Sequence, residues 1–224
     1  SSGSVTENTP SVLPDGRILY TRWEYVNRDA VSFHHLWTMN PDGTSQFAFY
    51  GSNSYWPNSM FFARQIPGKP DMFVSTITGH HSNAKGGALC LFDVSKGRHE
   101  ADGVVQEIPG WGRKVPAVIK DNLADGIWPQ FLHPFPLSEK YFLVSARPGP
   151  QSPWGVYLVD VFDNITPILT GGWISPIPLR SRPRSGVCST MGRCGTGWES
   201  KLAAAASSAS PSTSSATKRR VKSS

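Results

Sequence analysis

Two histidine doublets, His34-His35 and His80-His81, carry the first chemical signal in this sequence. Neutral imidazole is a common ligand for zinc and copper, and rings converging from separate segments make a metal site. Neighbouring residues of an extended chain point to opposite sides, so one ring of each doublet is expected to face a shared site. The expected metal ligands are His35, His80 and His81, with His34 beside them on the same rim. The plainer reading is that these are loop or packing histidines, because no carboxylate or thiol stands at a diagnostic spacing next to them.

Aromatic and cationic residues extend the same rim. Trp56-Pro57 and Trp128-Pro129 recur in matching places, and Arg147 shares a Pro-bounded loop with Trp154. Proline restricts the backbone and keeps such a loop rigid, so a cation beside an indole could grip an anion or a peptide. Ordinary loop packing accounts for the same residues. Trp56, Trp128, Arg147 and Trp154 are therefore carried as candidate binding residues, with no catalytic residue among them. The sequence lacks a Gly-x-Ser-x-Gly elbow, a Gly-rich phosphate loop with Lys, a His-Glu-x-x-His helix and a Cys-x-x-Cys-His haem attachment site.

The elements that position these residues repeat three times. Each copy has a polar turn, an apolar strand, a loop, a second apolar strand and an Asp- or Asn-rich turn: Ile18 to Trp23 with Leu36 to Gly43, Met72 to Ile77 with Leu89 to Gly97, and Tyr141 to Ala146 with Val156 to Asn164. An outer strand follows each copy, at Gln46 to Tyr50, Val104 to Ile108 and Ile165 to Leu169. Aromatic stretches after the two Trp-Pro pairs supply an inner strand for the second and third copies, but the first has no convincing one. Self-similarity of this kind predicts an all-β fold, a partial β-propeller of about three four-stranded antiparallel blades. The blades are expected at 13–51, 56–109 and 127–170, with a stub at 173–179, inside a propeller region of 13–184. Closed propellers have roughly four to eight blades, so the chain is expected to hold about half a ring. Both histidine doublets fall in the loop between the middle strands of a copy. Residues 110–126 interrupt the pattern as a long insertion, the sort of segment that often carries function.

Residues 1–12 read as a flexible segment, and 185–224 as a disordered, low-complexity Ser/Ala-rich tail with a basic end, where truncation or frameshift is the alternative explanation. The formal charge of +6 sits largely in and before that tail, at Arg180, Arg182, Arg184, Arg193, Lys218, Arg219, Arg220 and Lys222. The repeats are therefore near neutral, and nucleic acid is not an expected partner. Cys90, Cys188 and Cys194 make no even disulfide framework, and no run of residues is long and apolar enough to predict a membrane span.

Pro14-Asp15-Gly16-Arg17 and Leu36-Trp37-Thr38-Met39-Asn40-Pro41-Asp42-Gly43 resemble TolB-type, WD40-like propeller repeats. Over about residues 13 to 183 the stretches Tyr20 to Tyr25, Phe33 to Trp37, Gly79-His80-His81, Lys96-Gly97-Arg98 with Glu100 to Gly103, and Trp154 to Asp160 resemble the middle, propeller domain of the hydrazine synthase alpha subunit and its bacterial relatives. The resemblance implies a periplasmic or exported protein whose haem is carried by flanking domains. No cofactor is expected in this chain itself, and haem or metal would come with domains beyond it. The expected partners are the remaining blades and flanking domains of a parent protein, together with other proteins. A non-catalytic scaffold or interaction module is the expected function. The alternatives are part of a metal- or haem-dependent oxidoreductase with histidines on one rim, and the propeller of a prolyl-oligopeptidase-like hydrolase.

Overall fold

Among the described residues, short apolar runs closed by Asp-Gly, Asp-Asn and Gly turns fold into twelve strands, because alternation buries one face of each run while the turn residues satisfy their own backbone. A computed structural model describes residues 5–24, 32–51, 53–82 and 85–171. The expected stub at 173–179 and the tail at 185–224 lie outside the described residues. In chain order the strands are β1 (Val5–Val12), β2 (Ile18–Glu24), β3 (His34–Met39), β4 (Phe47–Tyr50), β5 (Ser59–Ile66), β6 (Lys69–Thr78), β7 (Ala88–Asp93), β8 (Val104–Ile108), β9 (Gln130–Pro136), β10 (Tyr141–Arg147), β11 (Gly155–Asp160) and β12 (Ile165–Leu169).

Each successive set of four strands pairs antiparallel in sequence order: β1 to β4, β5 to β8 and β9 to β12. Two expectations are corrected here. Residues 5–12 are not a flexible segment, because β1 supplies the inner strand that the first copy lacked. Hydroxyl groups rather than an apolar face secure it: Ser11 donates to the Ala63 carbonyl at 3.0 Å, and Thr9 exchanges a 2.9 Å hydrogen bond with Thr21. The first two sets are also not separate antiparallel sheets. A parallel pairing of His34 with Ser59 joins β3 to β5, giving a mixed sheet of eight strands beside an antiparallel sheet of four.

The turns behave as their composition requires. Asp15 accepts from the Arg17 amide, Asp42 from the Thr44 amide and Asp93 from the Ser95 amide, each at 3.0 Å. Longer ties cross between sets. The Glu100 carboxylate, in the β7–β8 turn, accepts the Tyr55 and Trp56 amides at 3.0 Å each. Asp163, in the β11–β12 turn, accepts the Gly110 and Trp111 amides at 2.8 and 2.6 Å. In both cases a carboxylate of one set clamps the chain leaving the last strand of the set before it.

One feature recurs in all three first strands without any glycine to announce it. Thr9, Phe62 and His133 have positive φ, at 46°, 56° and 49°, and each sits in a register shift of its strand. These are β-bulges, which add twist where they occur. They lie side by side: the Phe62 amide donates to Thr9 Oγ1 at 3.2 Å, and the Phe62 and His133 rings are 4.1 Å apart.

Two apolar clusters fill the interior. The first gathers Leu19, Leu36, Tyr50, Trp56, Phe73 and Phe92 from the first two sets, and the second gathers Val74, Leu89, Phe131, Phe142 and Val159 from the second and third. Leu19 rather than Ile18 is the fully buried residue at the start of β2, and Trp37 is half-buried with the Arg22 guanidinium 4.3 Å above its ring.

Candidate functional site

The seam between the first two sets brings the histidine loops together. His34 opens β3, and its amide donates to the Asn58 carbonyl at 3.4 Å, beside the start of β5. His80 follows β6, in the loop that leads to β7. Nε2 of His34 and Nδ1 of His80 are 2.8 Å apart, with ring centroids at 4.9 Å. Trp23, next to the last residue of β2, stacks on His34 at 5.1 Å and 9° and touches His80 at 5.0 Å. Phe61 closes the inner side of His34 at 5.9 Å. The four elements β2, β3, β5 and the β6–β7 loop thus build one aromatic wall around two facing imidazoles.

Burial dominates the electrostatics. His34 is 4 % exposed, and burial, reinforced by His80, Lys85 and His35, pulls its pKa down to about 3. His80 is lowered too, first by burial and then by His81 and Lys85, against the opposing pull of Asp121. Lys85, itself lowered by burial, donates to the His80 carbonyl. Both rings of the pair are therefore neutral at pH 7, and only one proton can lie between their facing nitrogens. Whichever ring supplies it, Nδ1 of His34 is buried without a partner. An orphaned polar atom of this kind costs about 1–3 kcal/mol.

Residues 110–126, the insertion flagged by the sequence, run back over this loop. Lys120 N donates to Asn58 Oδ1 and Ala124 N to Ser82 Oγ, both at 3.3 Å. Asp121 receives the His81 backbone amide at 3.3 Å and lies 2.6 Å from His81 Nδ1. Burial raises the Asp121 pKa, but its bonds to His81 outweigh that and leave the carboxyl below the usual range. Close passage of the strap depends on Gly79, where a Cβ would stand 1.8 Å from the Asp121 carbonyl oxygen. The insertion that holds Asp121 stood out in the sequence, but neither Asp121 nor Trp23 did by itself, since each became relevant only when distant segments met.

The other candidates are dispersed. His35 turns to the opposite side of β3, as its neighbour's orientation requires, and its Nε2 lies 3.0 Å from the Pro57 carbonyl; the structure pairs His34, not His35, with His80. Trp56 is 2 % exposed and belongs to the apolar core beside Phe92, so the expectation that it lines a binding rim is corrected. Arg147 lies 5.0 Å over the Trp128 ring rather than on Trp154, and its guanidinium donates to the Ser152 and Pro150 carbonyls of its own loop. The half-buried Trp154 lies against Gly86. Among the described residues no group of three or more His, Cys, Asp or Glu is already disposed around a common metal position.

No family model, curated protein or solved structure matches this chain. The seam is accordingly read from its own chemistry.

That chemistry sets an acid limit on folding. The His34 pKa is depressed in the folded state, so below about pH 6.5 the unfolded chain takes up a proton that the folded chain refuses until about pH 3. Stability is lost across that window at about 1.4 kcal/mol per pH unit for this one group. Urea midpoints in chelating buffer at pH 7 and pH 5 should differ accordingly, and His34→Phe should flatten the difference. Equal slopes in parent and variant would show that His34 is not the titrating group.

Proposed function

We propose that the three sets of strands are blades of a β-propeller and that the chain acts as a non-catalytic scaffold or interaction module. The parent would be a bacterial protein similar to the hydrazine synthase alpha subunit. The observation that carries this reading is the threefold bulge at Thr9, Phe62 and His133 on touching first strands. Radially repeated sheets set their innermost strands around a common axis, while the last strand of each stays at the periphery. In agreement, β1 packs on β5 and β5 on β9, whereas β4, β8 and β12 each pair with one strand. The family part of the reading rests on Phe33-His34-His35-Leu36-Trp37 and Gly79-His80-His81, two of the resembling stretches, which converge at one seam.

Three blades are fewer than the roughly four to eight of a closed ring, so the scaffold reading requires further blades to cover the remaining sheet faces. Sedimentation and thermal unfolding of this chain, and of a longer product of the same gene, test it. The shorter chain should self-associate, and the longer one should be monomeric and unfold at higher temperature. A monodisperse short chain whose stability does not change on extension overturns the reading.

A further inference from the structure

We propose that His34 Nε2 and His80 Nδ1 form a nitrogen-donor site for a borderline transition-metal ion of the zinc or copper class, with His81 as a third imidazole. The site does not depend on the scaffold reading. Its ground is geometric: two imidazole nitrogens from different strand sets point at each other across 2.8 Å. Stacking on Trp23 and contact with Phe61 hold the buried ring in place.

Zinc–imidazole bonds of about 2.0–2.1 Å at a tetrahedral angle would separate two donors by about 3.3 Å. The pair needs to open by about 0.5 Å, and the movement falls on His80, which lies in a loop, rather than on His34, which is fixed in β3. No proton has to leave. Each neutral ring keeps its single hydrogen and moves it to the nitrogen that faces away from the ion, Nδ1 on His34 and Nε2 on His80. The buried Nδ1 of His34, which lacks a partner in either tautomer, is thus the nitrogen that carries hydrogen in the metal-bound form.

His81 is prepared differently. Its Nδ1 lies 2.6 Å from Asp121 Oδ2, so the carboxylate fixes the proton there and leaves Nε2 as a lone-pair donor. A carboxylate holding the far nitrogen is the usual outer partner of a metal-bound histidine. The His80 and His81 rings are in edge contact at 4.4 Å, close enough for His81 to follow His80 to a shared ion. Asp121 belongs to the strap at 110–126, so metal binding would also tighten that strap over the seam.

The test is a titration of the full chain with Zn²⁺ and Co²⁺ at pH 8, with Cys188→Ser and Cys194→Ser in place so that thiolates do not compete. One ion should bind per chain. His80→Ala should lower affinity by more than the roughly 10–100-fold that loss of an outer partner costs, whereas Asp121→Asn should fall within that range. His99→Ala, on the exposed β7–β8 turn, should bind as the parent does. His34→Ala should behave like His80→Ala; if it fails to fold by circular dichroism, the half-buried His80 variant decides alone. Absence of stoichiometric binding by the parent, or undiminished binding by folded His80→Ala, overturns the site.

Discussion

Phe92→Ala should destabilise the protein by about 3–5 kcal/mol, the usual cost of deleting a fully buried phenylalanine. Phe92 is 0 % exposed and stacks on Phe73 at 4.8 Å with the rings 4° from parallel. Tyr50 meets it edge-on at 4.9 Å, and Trp56 lies 6.4 Å away. Those contacts span two strand sets, because Tyr50 ends β4 while Phe73 and Phe92 sit on β6 and β7. The cavity left by alanine cannot close readily, since Tyr50 is anchored by its hydroxyl. That group donates to the Glu100 carbonyl at 2.8 Å and accepts the Gly103 amide at 3.2 Å, and burial raises its pKa. Domains are typically stable by only about 5–15 kcal/mol, so the variant should unfold at a much lower denaturant midpoint. Phe92→Leu, which keeps most of the volume, should lose clearly less. If alanine and leucine cost the same, the aromatic knot is not what couples the two sets.

Gly87→Ala should separate the second and third sets. The Gly87 amide donates to the Phe131 carbonyl at 3.2 Å and the Gly87 carbonyl accepts the Phe131 amide at 2.9 Å, the bridge that links the two sheets. A Cβ at position 87 would stand 2.0 Å from the Ile77 carbonyl oxygen and 3.0 Å from the Thr78 Cβ, so the backbone of β6 or of residue 87 has to move. Overpacking of this kind costs about 1–3 kcal/mol, and the two bridging bonds add about 0.5–1.5 kcal/mol each. Hydrogen exchange should show the Phe131 amide losing protection, while the amides within β10 and β11 keep theirs. An unchanged Phe131 amide in a variant with parental stability would mean that the backbone absorbs the methyl group without breaking the bridge.

Local patterning made most of the strands legible. Ile165–Leu169 and Val104–Ile108 form strands with the expected bounds, and β2, β6 and β10 lie within one to three residues of the apolar runs that predict them. Their turns follow from Asp, Asn and Gly chemistry that needs no distant partner. β1 escaped because Val5–Val12 has hydroxyls where the other first strands have aromatics, and its bonds reach Thr21 and Ala63. The bulges at Thr9, Phe62 and His133 escaped for a related reason: positive φ in non-glycine residues is imposed by pairing across strands, not encoded by a residue type. Nothing in the sequence around Glu100 points to a distant partner, yet its carboxylate clamps two amides more than forty positions away.

At the seam, alternation along an extended strand foretold that one histidine of the first doublet would turn away from its neighbour, whereas His80 and His81, in a loop, keep their rings in contact at 4.4 Å. Which one turned was a matter of registry. The antiparallel pairing of β2 with β3 places Trp23 opposite His34, and the β3–β5 pairing sets His34 beside Ser59; together they send His35 to the Pro57 side. A shift of one residue would have exchanged the two rings, because side chains alternate with a period of two. Repetition, turn chemistry and strand class are properties of short stretches, and the amino-acid order alone carries them. The His34–His80 contact, the burial of Trp56 and the placing of Asp121 over His81 depend on packing between stretches far apart in the chain. Only the folded chain settles those, since many registers satisfy the local pattern and few bury it without a clash.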